Sequence, residues 1–210
     1  LFIKSNEGNK EVFRLPIGND VCSGIEEILK FTGGHLPDFW TPDGESFRFI
    51  PDSFKKLYDI QEERDSFDYV YLQKDLSELK GKKYHSKRNH ISAFSKQFDW
   101  HYEKITDSNV DKIKECSEKW YKEADDKFDN YMLAEKKGID IMLKNLDELE
   151  ITGGAIFVGD SAVAFTLGSN LNSYVFNTFV EKALSEYSGA YTVINREFAA
   201  KNLSGYKYIN

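Results

Sequence analysis

At 210 residues, with 40% hydrophobic, 15% aromatic and 30% charged side chains, the chain can bury a core and is too apolar to be disordered. A net charge of −7 argues against broad, nonspecific attachment to nucleic acid, while leaving room for one basic patch. No apolar run approaches the roughly 18 residues that span a bilayer, and two distant cysteines, Cys22 and Cys116, argue against a disulfide scaffold or zinc ribbon, so a soluble cytoplasmic protein is expected.

The first stretch reads as a hairpin, with Phe2-Ile3 and Val12 to Leu15 flanking a turn at Asn6-Glu7-Gly8-Asn9. Asp20 is placed to cap a helix running to about Phe31, with Ile25, Ile28 and Leu29 on one face and Gly33-Gly34 ending it. Phe47 to Ile50 reads as a strand, Ser53 to Tyr58 as a short helix, and Phe67 to Leu72, rich in strand formers, as the main strand of this half.

A basic segment follows. Leu79 to Phe98 carries no Asp or Glu, although roughly three would be expected at the chain's mean frequency, and holds Lys80, Lys82, Lys83, Lys87, Arg88 and Lys96. Tyr84, Ile91, Phe94 and Phe98 recur at helical spacing, and on that wheel Lys87 falls inside the apolar stripe with Arg88 at its edge. Two readings stay open for this pair. Their cations could hold a phosphate, or their stems could cover apolar surface while their heads pair with acids.

The second half begins with a strand at Trp100 to Ile105. A helix capped by Asp107 or Ser108 carries Val110, Ile113, Cys116 and Trp120, and a second carries Ile139, Met142, Leu143, Leu146 and Leu149. Three meandering strands follow, at Ala155 to Val158, Ala162 to Leu167 and Tyr174 to Val180. Ala190 to Leu203 is a helix and Tyr206 to Ile209 a last strand. Composition marks no domain boundary, and one is expected near Asp99, between the basic helix and the next strand. The histidines give no shared helical face, His85 and His90 being five residues apart, so no metal site is expected. There is no Walker A sequence, dinucleotide glycine fingerprint or G-x-S-x-G.

Strand, two helices, three antiparallel strands, helix, strand is an order that resembles the GNAT-like (acyl-CoA N-acyltransferase) fold. Narrower likenesses run from Tyr69-Val70-Tyr71 and Asp75-Leu76 through Leu79 to Ile91, then Gly153-Gly154-Ala155, Val163 to Gly168, Glu181-Lys182-Ala183, Gly189-Ala190-Tyr191, Ile194-Asn195, Glu197-Phe198-Ala199 and Tyr208-Ile209-Asn210. On these the chain resembles the DUF2156 family, which includes the C-terminal catalytic domain of phosphatidylglycerol lysyltransferases. The resemblance implies an α+β (α/β) protein of tandem GNAT-like units with mixed, mostly antiparallel sheets flanked by helices. The first would cover residues 1–98 and the second 99–210, the latter incomplete after its fifth strand.

It also implies transfer of an aminoacyl group from aminoacyl-tRNA to an amine or hydroxyl acceptor, either a small molecule or a lipid headgroup. The donor would lie near Lys83, Lys87, Arg88, Asn89 and Gly189. Catalysis would fall to Glu181, Asn177 and Thr178 on or just after the strand bordering the cleft, and Asn195 and Glu197 would orient substrate. The alternative for Glu181 is a strand-end surface charge, and Asn195 reads equally as a helix-face hydrogen-bonder. In the coenzyme A loop of ordinary members, Gln/Arg-x-x-Gly-x-Gly/Ala, this chain has Glu186 to Tyr191, whose carboxylate and bulky ring oppose a pyrophosphate, so acyl-CoA is the less favoured donor. A non-catalytic binding module of the same fold and an acyl-CoA-dependent N-acyltransferase are the alternatives.

Overall fold

The computed structural model describes residues 4–7, 10–16, 20–41, 50–124 and 129–210. The described residues form two compact units, Leu1–Phe67 and Asp68–Asn210. The division falls between Phe67 and Asp68 rather than near Asp99, and the basic helix therefore belongs to the second unit.

In the first unit β1 (Lys4–Glu7) pairs antiparallel with β2 (Lys10–Arg14), and β3 (Asp38–Trp40) lies parallel to β2. The expected first strand at Phe2-Ile3 and all but Ile50 of the strand expected over Phe47 to Ile50 lie outside the described residues, and Asn6-Glu7 belongs to β1 rather than to the turn. Between β2 and β3 runs α1 (Val21–Phe31), whose first turn is held by Asp20 accepting from the Ser23 amide at 3.0 Å. Its Ile25 and Ile28 are buried, and Ile25 packs with Leu15 and Ile50. The short α2 (Asp52–Lys55) ends sooner than the sequence suggests.

The second unit is a mixed α+β layer structure. Its six strands are β4 (Tyr71–Leu72), β5 (Trp100–Lys104), β6 (Thr152–Val158), β7 (Ser161–Asn170), β8 (Val175–Ala183) and β9 (Tyr208–Ile209). They lie in the order β4-β9-β8-β7-β6-β5, antiparallel except for the parallel pair β8-β9. The strand expected over Phe67 to Leu72 is reduced to β4. Tyr69 and Val70 are exposed and outside any ladder, so strand propensity there had no partner strand to satisfy it.

Two helical layers cover the sheet. On one face lie α5 (Val110–Glu123) and α6 (Asn130–Lys144), which bury Ile113, Cys116, Ile139 and Leu143 against Phe157, Phe165, Leu167 and Val180. The cap of α5 is Asn109, not Asp107 or Ser108. Its side chain turns back on the preceding loop, donating to the Lys104 carbonyl and accepting from the Thr106 amide at 3.0 Å. Helix α6 stops at Lys144, so Leu149 falls beyond it and is exposed.

The other face carries α3 (Gln73–Glu78), α4 (His85–Gln97) and α7 (Ala190–Asn202). Phe94 of α4 is fully buried among Ile156, Val163, Ala164, Val193 and Ile194. The stripe read from the sequence is this interface, with Ile91 and Phe98 at its margins. Tyr84 precedes the helix, in a 3-10 turn over Lys82–Tyr84.

Candidate functional site

Strand β8 sets the site because consecutive residues point to opposite faces of a strand. The ladder to β7 slips between Leu167 and Gly168: Leu167 faces Val180 and Gly168 faces Thr178, leaving Phe179 as an extra residue. Beyond this bulge, Val180 and Lys182 turn toward α5 and α6, while Glu181 and Ala183 turn toward α4 and α7.

Glu181 is half-buried and its Oε2 accepts from Asn195 Nδ2 of α7 at 3.2 Å. Burial pushes its carboxyl up to about 7, against the opposing pull of the Asn195 hydrogen bond and the Lys87 charge. Lys87 itself is exposed rather than inside the apolar stripe, and it acts on Glu181 through its charge. Gly189, the residue before α7, has φ +96, and a Cβ there would stand 3.0 Å from the His90 carbonyl of α4. Only glycine allows this approach without strain, and it seats the start of α7 on the helix that carries Lys87. Glu181 and Asn195 are therefore brought into contact, with the Lys87 charge acting on the carboxyl and Gly189 seating the start of α7 on α4.

The other expected residues are placed elsewhere. Lys83 pairs with Asp75 at 2.9 Å and lies over the Tyr84 ring at 4.7 Å. The Lys83 hydrogen bond is the main reason that Asp75 is held below the usual carboxylate range. Arg88 donates through Nη1 to the carbonyls of Leu79 and, at 2.8 Å, Gly81, so it clamps the loop between α3 and the 3-10 turn. Asn89 is exposed and meets His85 Nε2 at 3.2 Å. Lys82, Lys83, His85, Ser86 and Arg88 line an open groove of about 600 Å³. The basic patch is thus divided: Lys83 and Arg88 line the groove, whereas the exposed Lys87 acts on Glu181 through its charge.

Asn177 and Thr178 serve the junction of β8 with β9. Asn177 Oδ1 accepts from Asn210 Nδ2 at 3.1 Å and the Thr178 amide donates to the Asn210 carbonyl at 3.1 Å. Glu197 is buried at 5% exposure, pairs with Arg196 and, at 3.5 Å, with Lys201, and its charge acts on the partly buried Tyr102. Two residues after Asn195 on a helix, it stands on a different side from Glu181.

One cluster escaped the sequence reading. Lys182, 8% exposed, donates to both carboxylate oxygens of Glu135 at 3.0 and 2.9 Å, and its ammonium lies 3.8 Å from the centre of the Trp120 ring. The Tyr121 hydroxyl donates to Glu135 Oε2 at 2.7 Å. Burial works to raise the Glu135 carboxyl, and the Lys182 and Tyr121 hydrogen bonds reverse this, leaving it below its ordinary range. The available signal was spacing: Glu135, Ile139 and Leu143 lie four apart, which puts the acid on the buried face of α6.

The family profile described as phosphatidylglycerol lysyltransferase, C-terminal, matches residues 10–210. A conserved protein of unknown function from Bacteroides thetaiotaomicron superimposes with a TM-score of 0.82 at 29% identity, over 100% of this chain and 72% of its own. The C-terminal DUF2156 domain of a protein described as a lysylphosphatidylglycerol synthetase, from Agrobacterium fabrum, gives 0.61 at 12% identity, over 100% of this chain and 66% of its own. No curated protein matches the sequence. Among the described residues no helix is long and apolar enough to cross a membrane.

Proposed function

The chain belongs to the phosphatidylglycerol lysyltransferase C-terminal family, and from that membership we propose that it is an aminoacyl transferase of GNAT-like fold, with Glu181 as general base. The observation that carries this reading is the Glu181 carboxyl, raised by burial to about 7 and held by Asn195 beside the Lys87 charge. A carboxyl that ionises near the working pH takes a proton more readily from an incoming nucleophile than an ordinary one does.

In this reading the acceptor amine or hydroxyl attacks the ester carbonyl of aminoacyl-tRNA. Its proton passes to Glu181 as the new C–N or C–O bond forms. The ester C–O bond then breaks, and the departing ribose oxygen takes the proton back from the Glu181 carboxylic acid. Lys87 supplies positive charge for the oxygen that becomes anionic at the attacked carbonyl. Asn195 holds the carboxylate in one orientation. The groove lined by Lys82, Lys83, His85 and Arg88 offers cationic and hydrogen-bonding groups to the phosphates of the donor. The tandem arrangement expected of the family belongs to this reading as well.

The test is to titrate aminoacyl-tRNA and acetyl-CoA separately against the protein, then to follow release of the aminoacyl group with small amines and lipid headgroups as acceptors. Selective binding of the charged tRNA, with turnover abolished in Glu181→Gln and binding retained, is the expected result. Tight binding of acetyl-CoA with no response to tRNA would replace the donor. Binding of neither would replace catalysis with a non-catalytic module.

A further inference from the structure

The buried ammonium of Lys182 sits on the face of β8 opposite Glu181, and the two residues are joined by more than the peptide bond between them. Lys182 lies under the Trp120 indole at 3.8 Å. Trp120 Nε1 donates to the Tyr191 hydroxyl at 3.2 Å, which connects α5 to the first turn of α7. Tyr191 and Asn195 are four apart on α7 and so share one side of it. Asn195 returns to Glu181 at 3.2 Å. Lys182, Trp120, Tyr191, Asn195 and Glu181 therefore trace a path around the end of the strand, in which one turn of α7 is the step from Tyr191 to Asn195.

This end needs an external hold. The β7 ladder supports β8 as far as Ala183, whereas β9 pairs with it only at Val175–Phe176, followed by the Thr178 to Asn210 bond. The bulge at Phe179 adds local twist between those two regions. Glu135 fixes the ammonium from α6 with both oxygens, and Glu123 of α5 accepts the amide of Ser185, just past the strand, at 3.0 Å. A buried ion pair contributes little net stability compared with apolar side chains of equal volume, so its stabilising value alone does not account for placing one here.

We propose that Lys182, through Trp120 and Tyr191, is a positioning residue that fixes Glu181 and Asn195 relative to each other. This rests on the reading of Glu181 as the general base. It adds that the geometry of the base is set from the opposite face of the sheet.

The experiment is a 13C NMR titration of the Glu181 side-chain carboxyl in the full chain, in wild type, Trp120→Phe, Tyr191→Phe and Lys182→Met, beside thermal unfolding of each. Trp120→Phe and Tyr191→Phe change no charge, and each removes one partner of the indole–hydroxyl bond. Both are expected to move the Glu181 midpoint down by about half a unit or more as water reaches the carboxyl, with unfolding temperatures close to wild type. Lys182→Met removes a positive charge, which by itself would raise the midpoint, so a fall there reports loosening. Where aminoacyl transfer is measurable, kcat falls about tenfold while KM holds. A wild-type midpoint near 7 that none of the folded variants moves overturns the positioning role and leaves the general base standing. A wild-type midpoint in the ordinary carboxylate range overturns the general base itself. If Lys182→Met does not fold, the two charge-neutral variants decide the question alone.

Discussion

Glu181 and Lys182 are neighbours on β8 held from opposite sides of the sheet, the first by Asn195 of α7 at 3.2 Å and the second by Glu135 of α6 at 2.9 Å. Each partner has a different electrostatic consequence. Lys182 meets a full counter-charge and a π face, so its burial is compensated. Glu181 meets a neutral amide and only the more distant charge of Lys87, so its burial is not, and the carboxyl is raised.

That imbalance makes stability depend on pH in a definite direction. Between about 4.5 and about 7 the folded protein binds a proton at Glu181 that the unfolded chain releases. The contribution is fully present below the unfolded value and is lost as pH rises through 7. Glu181→Gln removes the loss. Urea unfolding at pH 8 should show the variant more stable than wild type by on the order of 2–3 kcal/mol, and near pH 4 the two should coincide. A gap that is equal at both pH values would trace the effect to something other than ionisation. Transfer activity should run the other way, rising with pH through about 7 in wild type and falling roughly 10²–10⁴-fold in the variant.

The adjacent cations of α4 should separate in a stability measurement. Arg88 holds two backbone carbonyls in a loop where Leu79 adopts φ +49 and Gly81 φ +92, so Arg88→Ala should cost about 1.5–3 kcal/mol. Lys87 is exposed, and Lys87→Ala should leave the unfolding temperature nearly unchanged while raising the Glu181 midpoint. Equal destabilisation by both would mean that the two side chains share one structural task.

Much of this was legible from spacing and strand propensity. The three central strands, the α1 cap at Asp20 and the Ile91, Phe94 and Phe98 stripe follow from local pattern, but the exposed Lys87 does not lie within that stripe. What was not legible depended on contacts distant in sequence. Whether Arg88 binds a ligand or a carbonyl is decided by a loop nine residues away. Residues 71–72 join the C-terminal sheet because β9, 136 positions later at its nearest bonded pair, offers an edge. The bulge at Phe179 shifts the alternation of β8, so the faces of Glu181 and Lys182 could not be assigned by counting from Phe176.

Gly189 offers a direct test of the α4–α7 junction. Gly189→Ala forces a Cβ into a left-handed backbone at φ +96 and to within 3.0 Å of the His90 carbonyl. The expected cost is about 1–3 kcal/mol, read by chemical denaturation. Because the junction also seats Asn195, the Glu181 midpoint should fall in the same variant. Loss of stability with an unmoved midpoint would show that the start of α7 and the carboxyl are independent.

The groove at the start of α4 makes a prediction about salt. If donor phosphates lie along Lys82, Lys83, His85 and Arg88, tRNA affinity should fall linearly with salt on a double-logarithmic plot, and each cation that neutralises a phosphate adds about 0.7–0.9 to the slope. Lys82 is the informative position, since it is exposed and does not share the Asp75 contact of Lys83 or the carbonyl contacts of Arg88. Lys82→Ala should weaken tRNA binding, reduce the slope by roughly one contact, and leave the Glu181 midpoint where it is. An unchanged slope would remove the groove from the path of the nucleic acid. A slope reduced to a similar extent by Lys87→Ala would instead place phosphate against the Glu181 side of the helix.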